Sequence, residues 1–243
     1  MRNLNNVPKI IMECKSIGHA IDYKWTKKKI NNLLDPIEGN EDLEYTLMQI
    51  NHKGSIGLTA ALLEWIYWRF TGYSQVVNDT QKRIEALWCS INNREQTNPL
   101  LFDTDFEVPA AGCVNGALWI ALMNVRMIDV RYRKGSYFLQ NDLIGLVLLA
   151  RHITPKKKKF DNWFAQTVVN LTHSHPNPYR NDNLDESDEA VYDSSHEPLI
   201  CREFFFDENF EYSVEAAEDA IHGFIDNLNL KANSFLDFTK KAS

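Results

Sequence analysis

The stretch SIGLTAALLEWIYWRF, from Ser55 to Phe70, decides the fold. Its apolar residues neither alternate, as on a half-wet strand, nor keep to one stripe. They run round the whole circumference of a helix, interrupted only by Glu64 and Arg69 near its end. A helix that is apolar on every side belongs at the centre of a bundle. Ser55 is placed to cap Ile56 to Phe70, and Thr71-Gly72 supplies the stop. The run is shorter than the roughly 20 residues needed to cross a bilayer, as is Leu143 to Ala150, so no membrane partner is expected.

The neighbours that must cover this helix can be read outward from it. Apolar residues at Ile10, Ile17, Ile21, Ile30 and Leu33-Leu34 predict one long helix or a helical hairpin partner, ended by Asp35-Pro36. Lys24 and Lys27 to Lys29 fall near its C-terminus, where cations suit the dipole. Glu41 to Ile50 gives a shorter helix. Ser74 caps the next, which carries Val77, Ile84, Leu87, Trp88 and Ile91. Pro109 opens a helix through about Arg131. Asn141 or Asp142 caps Leu143 to His152, and a further helix runs from about Lys158 to Thr172. Leu199 to Phe206 reads as extended. Ser213 caps an amphipathic helix with Val214, Ala217, Ile221 and Phe224 on one side, and a short helix follows around Phe235 to Phe238. The expected fold is all-α, a helical bundle of antiparallel helix pairs in one domain, 1–243. Residues 173–198 form an irregular acidic loop before the C-terminal helices.

Composition is that of an ordinary globular chain, 44% apolar and 24% charged. Cys14, Cys89, Cys113 and Cys201 lie far apart with no C-x-x-C pair, which predicts reduced thiols rather than a zinc site or a disulfide framework. The opening MRNLNNVPKIIMECK is broken by Asn5, Asn6 and Pro8 and is not read as a signal peptide, so the expected compartment is the cytoplasm.

Chemistry is sparse. His173-x-His175, with Asp182, Asp185 and His196, is the best metal candidate, because two imidazoles and a carboxylate suit zinc or iron. Asp103, Asp105 and Glu107 are the best candidates for a hard cation, but the EF-hand pattern is missing. No H-E-x-x-H, G-x-S-x-G, P-loop or Rossmann glycine pattern occurs. The expectation is a non-enzyme with no catalytic residue, no metal and no cofactor.

Charge is more informative. Between Asn181 and Asp226 there are 15 acidic residues and one basic, Arg202, against 18 acidic and 25 basic elsewhere, so the net charge of -7 divides into about -14 and +7. Such a field steers a partner of opposite sign. Within it, Tyr179, Asp182, Asp185, Glu186, Asp188, Glu189 and Tyr192 combine carboxylates with aromatic anchors, the mixture that a protein interface uses. These are the expected partner-binding residues, and the expected partner is a basic protein. Arg126, Arg131, Arg133, Lys134, Arg151 and Lys156 to Lys159 form the basic counterpart. Pairing with the acidic segment, within the chain or in a homodimer, is expected there. Nucleic acid is not, because the acidic segment would repel phosphate or compete for the same surface.

A helical, acidic, leaderless chain without catalytic motifs resembles the immunity proteins of bacterial polymorphic toxin systems. The resemblance rests on size, helicity and the stretch Asp182 to Glu189. It implies a tight inhibitor that masks the active site of a cognate basic toxin, and carries no binding residue over to a numbered position. The alternatives are a metal-dependent enzyme with a site near His173/His175, and a homodimeric scaffold.

Overall fold

The computed structural model describes residues 4, 6–73, 77–102, 112–178 and 191–239. Among these residues there are ten α-helices and no strand, only two isolated bridges, Ile50 to Pro176 and Thr97 to Leu236. The helices are α1 (Lys9–Glu13), α2 (Lys27–Leu34), α3 (Glu41–Leu47), α4 (His52–Phe70), α5 (Val77–Asn92), α6 (Asn115–Lys134), α7 (Gln140–Ile153), α8 (Lys157–Ser174), α9 (Arg202–Phe206) and α10 (Val214–Ile225). None of the described helices is long and apolar enough to cross a membrane.

The all-round apolar helix is the axis of the bundle. Of the 19 residues of α4, 18 are buried, all but Tyr67, and α5, α6, α7 and α9 pack round it. Each Leu, Ile or Phe so enclosed contributes roughly 1.5–3 kcal/mol. A second hub, α7, carries α2 and α3 on its outer side and meets α8 beyond. One hydrophobic cluster runs from Leu4 to Phe224. Gly57 is needed for the close approach of α9: a Cβ there would lie 2.9 Å from Ile200 and 3.0 Å from Phe205.

Three charged residues inside this core hold distant segments to α4. The Glu64 carboxylate accepts from Arg202 Nε at 2.8 Å, with Glu64 0% and Arg202 2% exposed. The Arg69 guanidinium is also 0% exposed and donates to three carbonyls, Ile153 at 2.9 Å, His19 at 2.7 Å and Ala20 at 2.8 Å. A buried charge with its donors satisfied costs far less than a bare one, so these bonds fix where the 14–25 segment lies.

That segment departs from the expected long helix. Helix α1 stops at Glu13; Lys15 (φ 55) and Gly18 (φ 66) are left-handed, and Arg69 takes the carbonyls of residues 19 and 20. Helix α2 therefore starts anew at Lys27, and Lys27 to Lys29 occupy its first turn rather than the last. Ser55 is not the cap of α4: Asn51 is, its side chain accepting Gly54 N–H at 2.8 Å. Helix α7 begins at Gln140, ahead of Asn141 and Asp142. Arg202 to Phe206 is helical, not extended, because Arg202 is drawn inward to Glu64. Near the C-terminus the short helix is a 3-10 turn at Leu230–Ala232, while Leu236 bridges to Thr97. Ser74 and Pro109 lie outside the described residues. Ser213 caps α10 as expected, accepting Ala216 N–H at 3.1 Å.

Candidate functional site

Helix α8 packs its apolar side inward through Phe160, Val168 and Leu171. Its other side carries Asn162, Gln166, Val169, Asn170 and His173, all exposed and at helical spacing. From Asn162 to Ser174 there is no charged residue, where a share of 24% would place about three. Val169 is 61% exposed. Asn162, Gln166, Asn170 and His173 make this face polar but uncharged, with Val169 the apolar residue among them.

Opposite this face runs the Phe204–Tyr212 segment, and a groove of about 1020 Å³ lies between them. Its aromatic wall is fixed by specific contacts. Trp163 Nε1 donates to the Phe205 carbonyl at 2.8 Å, and the Trp163 ring stacks on Phe206 with centroids 6.0 Å apart and planes 6° from parallel. Phe204 meets Tyr212 edge-on at 5.5 Å. At the α1 end the groove is bounded by two ion pairs, Lys9–Glu208 at 3.0 Å and Lys159–Glu13 at 2.6 Å.

The acidic character of this part of the chain reaches the surface beside the groove. Asp207, Glu208, Glu211, Glu215, Glu218 and Asp219 are all exposed. Among the described residues only Glu208 of these six makes an ion pair. Between Arg202, which is buried, and Asp226 no basic residue intervenes. Asp207 and Glu208 line the groove itself, as does Lys159, and Glu208 is held by Lys9.

The expected partner-binding residues fare differently. Tyr179, Asp182, Asp185, Glu186, Asp188 and Glu189 lie outside the described residues. Tyr192 requires a correction: it is 5% exposed, its hydroxyl donates to Glu197 Oε1 at 2.6 Å, and its ring lies 4.4 Å from that of His52. The ring is a packing unit, because residues 191–200 fold back onto the start of α4 instead of leaving as a loop. Tyr192 N–H bonds the Gly135 carbonyl at 2.9 Å, and Glu197 accepts the His52 and Lys53 amides at 3.1 and 2.7 Å.

His173 and His175 are separated by the end of α8. His173 is exposed on the groove, whereas His175 is 0% exposed, 3.3 Å from the Tyr212 hydroxyl, and burial lowers its pKa to about 4. His196 is exposed on another segment, and Asp182 and Asp185 lie outside the described residues. Among the described residues no three His, Cys, Asp or Glu side chains gather as a metal-holding group. Asp103, Asp105 and Glu107 also lie outside the described residues. The basic counterpart is partly spent within the chain: Arg131 pairs with Asp142 at 3.0 Å, Arg133 with Asp129 at 2.9 Å and Arg151 with Asp161 at 2.6 Å.

The groove was not foreseen from sequence. Its available signal was the coincidence of an uncharged helix, 162–174, with the cluster Phe204-Phe205-Phe206 bordered by Asp207-Glu208. Family models, curated proteins and solved structures give no match to the chain.

Proposed function

We propose that this chain is a cytoplasmic protein-binding inhibitor that holds a basic polypeptide in the α8 groove. In the manner of an immunity protein, it neutralises a cognate basic toxin by covering its active site. One observation carries this reading: a charge-free helix face and an aromatic wall meet beside a run of exposed carboxylates, of which Glu208 alone is in an ion pair among the described residues. Apolar anchors in a desolvated groove supply affinity, and the acidic rim raises the encounter rate and selects a basic partner. The groove is of the size that takes the anchoring side chains of one bound segment. Cys14, Cys89 and Cys201, reduced and buried, suit a reducing compartment.

The enzyme reading is the weaker, since His175 is turned into the core and His173 stands alone on the groove. A homodimeric scaffold is left with Lys134 and Lys156 to Lys158 of that region as exposed cations, since Arg131, Arg133 and Arg151 are paired internally.

The test is to sequence the flanking reading frames and to co-express the chain with any basic domain they encode. Growth arrest by that domain should be relieved by the wild-type chain and not by a Gln166→Lys, Val169→Asp, Asn170→Lys variant of equal thermal stability. Equal protection by the variant, or no protection by the wild type, would overturn the reading.

A further inference from the structure

A basic surface is built where α2, α7 and α8 meet. Helix α2 packs on α7, His152 near the C-terminus of α7 lies 2.9 Å from the Lys24 carbonyl just ahead of α2, and α8 begins at Lys157 directly after α7, so the first turns of α2 and α8 both lie at that end. Both first turns read Lys-Lys-Lys, at 27–29 and 157–159. Lys24, Lys27, Lys28, Arg151, Lys156, Lys157 and Lys158 are exposed, and Lys29 is half-buried. Asp161, bonded to Arg151 at 2.6 and 2.9 Å, is the one carboxylate that pairs with these eight cations among the described residues.

Their crowding is visible in its effects. Lys29 is held below the usual lysine range by burial and then by the charges of Lys157 and Arg151. His152, whose Nε2 lies 2.9 Å from the Lys24 carbonyl, is lowered by burial and also by Lys29 and Lys157. Cations in a helix's first turn oppose the dipole. Neither first turn holds an acidic residue, and α8 has no side-chain cap. Two helix starts loaded against their own dipoles cost stability in isolation, and the cost is reversed when anionic oxygen sits between them.

A ring cluster adjoins the patch. Tyr23 and Trp25 flank Lys24 in sequence, and their rings lie 5.3 and 6.2 Å from His152, all three half-buried. No Leu, Ile, Phe or Met occurs at 24–29, 151–152 or 156–158, so the patch offers nothing aliphatic to insert into a bilayer. Half-buried aromatic rings beside a lysine track are the combination that a single-stranded polynucleotide uses, its phosphates taking the cations. Of the described carboxylates after α9, Glu215, Glu218 and Asp219 are on α10, which packs on α5 and α9, and Glu208, which faces α8 across the groove, is held by Lys9.

We infer that the surface formed by Lys24, Lys27–Lys29, Arg151 and Lys156–Lys158 binds the phosphate backbone of single-stranded nucleic acid. This does not depend on the inhibitor reading. The test is fluorescence anisotropy of a labelled oligouridylate of about 20 nucleotides, titrated with the full chain from about 50 mM salt upward. Saturable binding is expected at low salt, with log affinity falling linearly in log salt by about 0.7 per phosphate neutralised. The variant Lys27→Glu, Lys28→Glu, Lys157→Glu, Lys158→Glu should bind at least about tenfold more weakly with a shallower slope. Its Tm should be unchanged or higher, since it relieves the dipole conflict, which separates lost binding from lost fold. No saturable signal at low salt, or unchanged affinity in the variant, overturns the proposal. It is equally overturned if phosphatidylserine vesicles bind while the oligonucleotide does not. A salt-sensitive dimer in light scattering without oligonucleotide binding has the same meaning.

Discussion

Glu197 accepts the backbone N–H of Lys53 at 2.7 Å, from 144 residues away in the chain. Its other oxygen takes the His52 N–H at 3.1 Å, so a remote carboxylate caps the central helix beside Asn51. The anion lies at the positive end of the α4 dipole, where negative charge is stabilising. Lys53 Nζ closes the loop by donating to the Glu197 carbonyl at 2.8 Å. Glu197→Ala removes the carboxylate that accepts from two buried amides and from the Tyr192 hydroxyl, and should cost about 2–4 kcal/mol. Urea unfolding measures it; a loss within the noise would mean that residues 191–200 do not hold the helix start.

Arg202 and Glu64 form the deepest ion pair. Arg202→Met alone strands a buried carboxylate and should destabilise by about 3–5 kcal/mol. Adding Glu64→Leu should recover most of that loss, because an apolar pair of similar volume avoids desolvating charge. The readout is a double-mutant cycle in denaturant. A double variant no more stable than the single would show that the pair contributes more than it costs.

Stability should fall with acid through two histidines. Burial lowers both His52 and His175 from 6.5 to about 4. Between those values the unfolded chain binds the protons and the folded chain does not, so stability is full above pH 6.5 and drains as pH falls toward 4. Each histidine accounts for about 3 kcal/mol. Glu197 works the other way: burial raises its pKa, so its proton is bound more readily in the folded form and offsets part of the loss. Chemical denaturation at a series of pH values checks the sum. His175→Asn should flatten the slope across this range, and an unaltered slope would exclude His175 as its source.

Gly135 ends α6 with φ 65, and a Cβ there would stand 2.5 Å from the Tyr192 carbonyl oxygen. Gly135→Ala therefore adds strain and pushes residues 191–200 away. Loss of about 1–2 kcal/mol is expected, together with faster proteolysis near Tyr192. Unchanged proteolysis would mean that the segment is held elsewhere.

The helical class and most helix centres were legible in the sequence, because the Ser55–Phe70 stretch and the 3.6-residue stripes of α5 and α10 report burial directly. What was not legible depended on long-range partners. Arg69 breaks the expected 10–34 helix by claiming the His19 and Ala20 carbonyls, and Arg202 curls 202–206 by reaching Glu64. Tyr192 had the local setting of an exposed anchor, yet Glu197 and Gly135 draw it into the body. The groove has the same origin. Neither Asn162–Ser174 nor Phe204–Tyr212 marks a site alone, and only the fold places them face to face.

The central claim is that a basic partner seats in the α8 groove under the 207–219 carboxylates. Hydrogen-exchange mass spectrometry of the chain, free and mixed with any basic domain found in the flanking reading frames, tests it most directly. The expected result is new protection confined to 162–174 and 204–219, abolished by Glu211→Lys, Glu215→Lys, Glu218→Lys. Protection mapping elsewhere, or the same protection in the charge-reversed chain, would contradict it.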